Sequence, residues 1–183
     1  MVENRALIII QPINEQDIPL LSRVSAAAYL DHFKYLWFDE GKWYIEKCFS
    51  EEALHKEFAL KGNHFFLILL NHEPVGFLKL RIPAPNVCKN CLELERIYLR
   101  RKQTGMGIGK FCMNWLEERA LAQGFSKLLL KAMDSSTDSI AFYKKSGFQT
   151  CGETRLDFQM MKEEYRGMII LEKSLRHQVI GHR

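Results

Sequence analysis

Gly105-Met106-Gly107-Ile108-Gly109 sets a glycine at every second position between a strand-like run and a strongly amphipathic helix. Glycine tolerates positive φ and a close backbone approach. At a helix start such a turn exposes backbone N–H groups, and the helix macrodipole adds positive potential. Arg100, Arg101, Lys102 and Lys110 flank it. A phosphate or pyrophosphate suits a turn of this kind. Two common phosphate motifs fail. The P-loop needs G-x-x-x-x-G-K-[ST], but Phe111 follows Gly109-Lys110, and Thr104 stands at the first glycine position. The dinucleotide fingerprint G-x-G-x-x-G fails because Lys110 takes the third glycine's place. Taken alone, the turn fits either an anion site or a plain helix start.

The rest of the chain frames this turn. Leu7 to Pro12 reads as a strand. Asn14 can cap a helix from about Glu15 to Leu30, with Leu20, Leu21, Val24 and Ala28 at helical spacing. An aromatic stretch runs from Phe33 to Phe49, and Ser50-Glu51-Glu52 opens a second helix. His64–Leu70 and Val75–Ile82 form a hairpin about Asn71-His72-Glu73-Pro74. Cys91 to Leu99 is a fourth strand. The helix after the glycine turn carries Ile108, Phe111, Cys112, Trp115 and Leu116 on one face and ends at Gly124. Lys127–Met133 is a strand, and a helix begins about Asp134-Ser135-Ser136 and closes at Gly147. Phe148–Phe158 and Gly167–Leu171 make a last hairpin. The order β-α-α-β-β-β-α-β-α-β-β predicts an α/β (α+β) fold, a mixed sheet with helices on both faces.

The 183 residues suit one domain over 1–175, with a tail at 176–183. Apolar residues at 47% and charged residues at 26% exclude a disordered chain and a polytopic membrane protein. A net charge of +4 without a dense basic stripe gives no reason to expect nucleic acid. No apolar run is long enough to span a bilayer, so no membrane partner is expected. Cys48, Cys88, Cys91, Cys112 and Cys151 make an odd count without a disulfide framework, so reduced thiols and a cytoplasmic setting are expected. Cys88-Lys89-Asn90-Cys91 has no second ligand pair and precedes a strand, so it reads as incidental, with no metal site.

Leu94-Glu95-Arg96-Ile97-Tyr98-Leu99 followed by Thr104-Gly105-Met106-Gly107-Ile108-Gly109-Lys110 resembles motif A of the GNAT superfamily of N-acetyltransferases. Ser139-Ile140-Ala141-Phe142-Tyr143-Lys144-Lys145-Ser146-Gly147-Phe148 resembles its motif B, in the expected order and separation. Tyr44 to Leu54 and Pro74 to Leu80 resemble the PaiA-like branch, the bacterial spermidine/spermine acetyltransferases. The resemblance implies the GNAT fold, with a mostly antiparallel seven-stranded sheet, and acetyl-CoA as cosubstrate without a metal. It also implies direct attack of a primary amine on the thioester. Homodimers are frequent in the family. One position departs from the pattern. Thr104 stands where the loop usually has Arg or Gln, so backbone N–H groups are expected to carry the phosphate contact.

The chemistry can be weighed residue by residue. An alkylammonium has a pKa of about 10.4, so a base helps at neutral pH. Glu93 and Glu95 alternate along the fourth strand and point to one face. By resemblance Glu93 matches the histone-type enzymes and Glu95 the polyamine enzymes. Glu95 is favoured, while a water chain or two solvated carboxylates stay open. Tyr143 matches the family's general acid and would hydrogen-bond the departing thiolate. The resemblance places Ile97, Tyr98 and Leu99 along the pantetheine arm, with the Leu99 N–H near the thioester oxygen. It places Thr104, Gly105, Met106, Gly107, Ile108, Gly109 and Lys110 at the pyrophosphate. Asp134, Ser139, Tyr143 and Lys145 complete the expected CoA contacts. Tyr29, Phe33, Trp37 and Tyr44 are candidates for the acceptor wall, or else core. The acceptor expected is a small polyamine or diamine. A peptide N-terminus, a protein lysine, or a non-catalytic acyl-CoA-binding module are the other readings.

Overall fold

The computed structural model describes residues 6–175. The expected tail at 176–183 lies outside the described residues. In chain order the elements are β1 (Ile8–Pro12), α1 (Ile18–Phe33), α2 (Lys42–Phe49), α3 (Glu51–Phe58), β2 (Asn63–Leu70), β3 (Glu73–Arg81) and β4 (Cys91–Leu99). Then come α4 (Ile108–Ala122), β5 (Lys127–Met133), α5 (Thr137–Lys145), β6 (Gln149–Arg155) and β7 (Gly167–Ser174). They build one seven-stranded sheet in the order β1-β2-β3-β4-β5-β7-β6. Every neighbouring pair is antiparallel except β4–β5.

A core fills each side of this sheet. β2 is apolar at nearly every position because both its faces are covered. Phe66 and Ile68 join α4 residues Ile108, Cys112 and Leu116 on one side. Phe65, Leu67 and Leu69 join Leu21 and Tyr29 of α1, Phe49 of α2 and Leu54 of α3 on the other. The mixed sheet with helices on both faces is as expected.

Three local features differ from the sequence reading. α2 is an additional helix inside the aromatic stretch. Its start is set by polar chemistry rather than periodicity: the Asp39 carboxylate accepts from the Gly41 N–H at 3.1 Å and the Trp43 N–H at 2.6 Å. Gly41 sits at φ 92°, which glycine adopts without strain. α1 begins at Ile18, after a short 3-10 turn over Glu15–Asp17. Cys88 and Cys91 were expected as incidental thiols but are joined in a disulfide. Asn90 at φ 58° turns the chain back and brings the two Cα atoms to 5.8 Å. Cys48, Cys112 and Cys151 are free. No helix among the described residues is long and apolar enough to cross a membrane.

Gly76 of β3 marks the closest strand approach. A Cβ there would lie 2.3 Å from the Tyr98 carbonyl oxygen and 3.1 Å from the Leu99 Cα of β4. Both are backbone atoms, so β4 itself has to move. Gly76→Ala is expected to cost about 2–3 kcal/mol. A thermal melt should show this as a Tm lower by about 4–12 °C.

Candidate active site

β4 and β5 pair only from Cys91 to Leu94 against Lys127 to Leu130. Beyond that point the strands part, and a cleft opens between them. Successive peptide groups of a strand point to opposite edges. The Arg100 N–H bonds the Val75 carbonyl on the β3 side, so the Leu99 N–H turns toward the cleft. His32 lies on that same edge, its Nε2 2.9 Å from the Leu99 carbonyl.

A cavity of about 590 Å³ occupies the outer part of this cleft. Its wall includes Ile97, Tyr98 and Leu99 of β4, Thr104, Gly105, Gly107, Gly109 and Lys110 of the glycine turn, and Ser139 and Tyr143 of α5. Gly105 and Gly107 take φ 79° and 81°, and Gly107 is the N-cap of α4. The turn therefore presents its backbone N–H groups at the start of a fifteen-residue helix. The Thr104 hydroxyl donates to the Arg101 carbonyl at 2.7 Å, so it closes the turn.

Four residues expected at this site do not line the cavity. Ile108 is buried in the core beneath α4, and Met106 is exposed on the turn. The Asp134 carboxylate packs over Gly167, at whose N-terminal strand end the chain returns. Lys145 is exposed in the last turn of α5.

A second cavity, of about 340 Å³, lies deeper on the α1–α2 side. Phe33, Ile97, Tyr98, Ser136, Ser139 and Tyr143 line both, so the two adjoin. All four aromatics expected at the acceptor wall, Tyr29, Phe33, Trp37 and Tyr44, line this inner cavity. Tyr29 stacks on Tyr44 with ring centroids 4.6 Å apart, and the Trp37 indole donates to the Tyr29 hydroxyl at 2.9 Å. A roof is tied across it. Trp37 bridges to Met161, the Phe38 N–H bonds the Met160 carbonyl, and the Lys162 N–H bonds the Leu36 carbonyl.

The floor is charged, and sequence reasoning missed most of it. A β-bulge sets Arg96 opposite Lys79 and Leu94 opposite Leu80, leaving Glu95 as the extra residue. Glu93, Glu95, Arg96 and Tyr98 thus face the inner cavity side, while Ile97 and Leu99 pack toward α4 and α5. Both Glu93 oxygens face cations. Arg81 reaches Oε2 at 2.6 and 3.0 Å, and Lys131 lies 3.5 Å from Oε1. Glu95 Oε1 accepts from Lys79 at 3.0 Å. Glu95 Oε2 is buried with no hydrogen-bond partner among the described residues. Behind them Glu57 of α3 takes a fork from Arg96 at 2.9 and 3.0 Å and a third bond from Lys79 at 2.9 Å. The legible signal was Lys79 itself, a lysine at an inward position of an otherwise apolar strand, 2% exposed.

Burial shapes the ionisation of these groups. It pushes the Tyr143 phenol well above its ordinary value, with Tyr98 adding to the effect. Tyr98 is likewise pushed up to about 12. Burial opposes the charge on Glu57, yet Arg96 and Lys79 outweigh it and hold that carboxyl below its usual range. Among the described residues no cluster of three or more His, Cys, Asp or Glu could hold a metal ion.

The Acetyltransferase (GNAT) family profile matches residues 27–148. An uncharacterized N-acetyltransferase in the pepI 3′ region of Lactobacillus delbrueckii subsp. lactis is 30% identical over 145 residues, 77% of this chain and 84% of that protein. Among solved structures, the PaiA N-acetyltransferase from Thermoplasma acidophilum in complex with coenzyme A superposes with TM-score 0.72 at 22% identity. That match covers 92% of this chain and 99% of the other. The ribosomal-protein-S18-alanine N-acetyltransferase from Escherichia coli superposes with TM-score 0.69 at 16% identity, over 97% and 99% of the two chains. The chain belongs to the GNAT acetyltransferase family. It is an acetyl-CoA-dependent N-acetyltransferase.

Proposed function

We propose that the protein acetylates a small primary amine that enters the roofed inner cavity, with Glu95 as the group that receives its proton. The observation that carries this reading is Glu95 Oε2, which accepts no hydrogen bond and has the Arg81 Nε at 3.4 Å, on the floor of an aromatic-walled cavity that adjoins the cleft. Acetyl-CoA supplies an activated acyl group. The Glu95 carboxylate takes the ammonium proton, and the amine lone pair forms the new C–N bond as the C–S bond breaks. The Leu99 N–H faces the oxygen on which charge develops. The Tyr143 hydroxyl, which burial keeps protonated, hydrogen-bonds the leaving thiolate, and the second proton that the nitrogen sheds on becoming an amide goes to that sulfur as CoA leaves as the thiol.

Size and charge bear on the acceptor. The strap from Leu36–Phe38 to Met160–Lys162 favours a small molecule over a polypeptide, which needs an open groove. The aromatic walls support the polyamine or diamine of the PaiA-like branch, since ammonium groups bind ring faces. Against it, the floor carboxylates Glu93 and Glu95 already face Arg81, Lys79 and Lys131, which leaves little unpaired negative charge for a second ammonium. A ribosomal-protein acetyltransferase superposes nearly as well as the PaiA enzyme, so fold likeness does not favour either acceptor.

Steady-state CoA release tests the reading. Acetyl-CoA is supplied with spermidine, putrescine, simple alkylamines, free lysine and a lysine-bearing peptide. Turnover of small amines is expected, with kcat in Tyr143→Phe lower by about 10- to 100-fold and unchanged folding, the effect of one lost donor to developing charge. Turnover of the peptide alone, or an undiminished Tyr143→Phe, would overturn it.

A further inference from the structure

We propose that the acceptor is an amino carboxylate, a molecule with a carboxylate a few ångströms from its amine, and that Arg81 and Lys131 select it. This rests on the small-amine reading above and names its substrate class. The floor and its backing hold four cations, Lys79, Arg81, Arg96 and Lys131, against three carboxylates, Glu57, Glu93 and Glu95. Lys79 and Arg96 are 3% and 9% exposed and spend their donors on Glu57 and Glu95. The surplus charge therefore sits on the other two.

Arg81 and Lys131 are also the accessible pair, 41% and 33% exposed, and both line the inner cavity. Arg81 uses Nε and Nη2 on Glu93 Oε2, which leaves guanidinium donors of its planar fork for a second carboxylate. The Lys131 ammonium makes no hydrogen bond among the described residues; Glu93 Oε1 lies 3.5 Å away. The Arg81 Nε is 3.4 Å from the Glu95 oxygens' free edge, at Oε2. An acceptor with its ammonium on Glu95 and its anion on Arg81 and Lys131 must carry opposite charges close together. A zwitterion does so: its carboxylate meets the two accessible cations, its ammonium meets Glu95, and it adds no net charge to the floor. A polyamine would add further positive charge to a floor already positive. A simple alkylamine, with no carboxylate, would leave the cation donors without a partner in a partly desolvated pocket.

Matched acceptors test this with the intact protein. CoA release is measured with β-alanine, β-alaninamide and propylamine, and with 4-aminobutyrate, 4-aminobutyramide and butylamine. Spermidine is run beside them. The carboxylates are expected to exceed their amides about 10- to 100-fold in kcat/KM, the scale of hydrogen bonds to charged groups. In Lys131→Met that ratio should fall several-fold or more, and Lys131→Arg should restore it. A merely structural lysine would leave the ratio unmoved. Equal or better turnover of amides, alkylamines or spermidine overturns this inference and leaves the small-amine function standing. Silence with every amine, while acetyl-CoA still binds, overturns the proposed function and this inference with it.

Discussion

Glu95→Gln is expected to lower kcat/KM at pH 7 about 10²- to 10³-fold, the range of a lost general base. At that pH only about one in 2,500 molecules of a primary amine with pKa about 10.4 is neutral. The wild type can bind the abundant ammonium form and strip it at Glu95 Oε2. A glutamine amide cannot accept that proton, so the variant is limited to amine already neutral in solution. Its kcat/KM should therefore climb about tenfold per pH unit toward the amine pKa, while the wild type rises less steeply. The variant keeps its fold, because the amide oxygen still accepts from Lys79 where Glu95 Oε1 does at 3.0 Å. Rates of CoA release between pH 6.5 and 9.5, with a thermal melt of each protein, decide the matter. Parallel profiles for the two would remove Glu95 as the base. Glu93 is no substitute in this scheme, since Arg81 holds its Oε2 with two hydrogen bonds and its side chain is 2% exposed against 21% for Glu95.

What could be read from the chain alone was whatever local chemistry writes into neighbouring residues. The glycine turn, the apolar run of β2 and the one-sided face of α4 each carry their own signal within ten or fifteen residues. So does Tyr143, which lines both cavities. The floor of the acceptor site carries no such signal. Nothing in Leu94-Glu95-Arg96-Ile97 marks a bulge, which arises from how β4 registers with β3. Without it, Arg96 would point away from Glu95 instead of sharing its face. Glu57 reads as one more acid on a polar helix, and its meaning appears only when Lys79 and Arg96 arrive from two strands. α2 hid for another reason: its start is held by Asp39 and Gly41, and its aromatics face a cavity as well as the core. The roof joins residues more than a hundred positions apart, from Leu36–Phe38 to Met160–Lys162. Long-range pairings of that kind leave no trace in a window of sequence.

Glu57→Gln should be the most damaging conservative change in the site's support, costing about 3–5 kcal/mol at pH 7, the penalty for stranding a buried charge. Arg96 is 9% exposed and Lys79 3%, so neither can turn to water when the carboxylate is lost. The amide keeps one acceptor oxygen but turns donors toward Arg96, so one prong of the fork is lost and Arg96 and Lys79 are left with the Glu95 charge alone. A thermal melt should show Tm lower by about 6–20 °C. The pH dependence gives an independent check. The folded protein holds the Glu57 carboxyl below its ordinary value of 4.5, because Arg96 and Lys79 outweigh the opposing effect of burial. A carboxyl lowered on folding contributes its stability above the unfolded value and loses it as pH falls through the folded one. The wild type should therefore lose this contribution on acidification below about 4.5, while the glutamine variant has none to lose. The gap between the two melting curves closes as the pH drops. A gap that stays constant across that window would mean the ion network does not depend on the Glu57 charge. Since Lys79 and Arg96 also hold Glu95 in place, the same variant should lose turnover at temperatures where it is still folded.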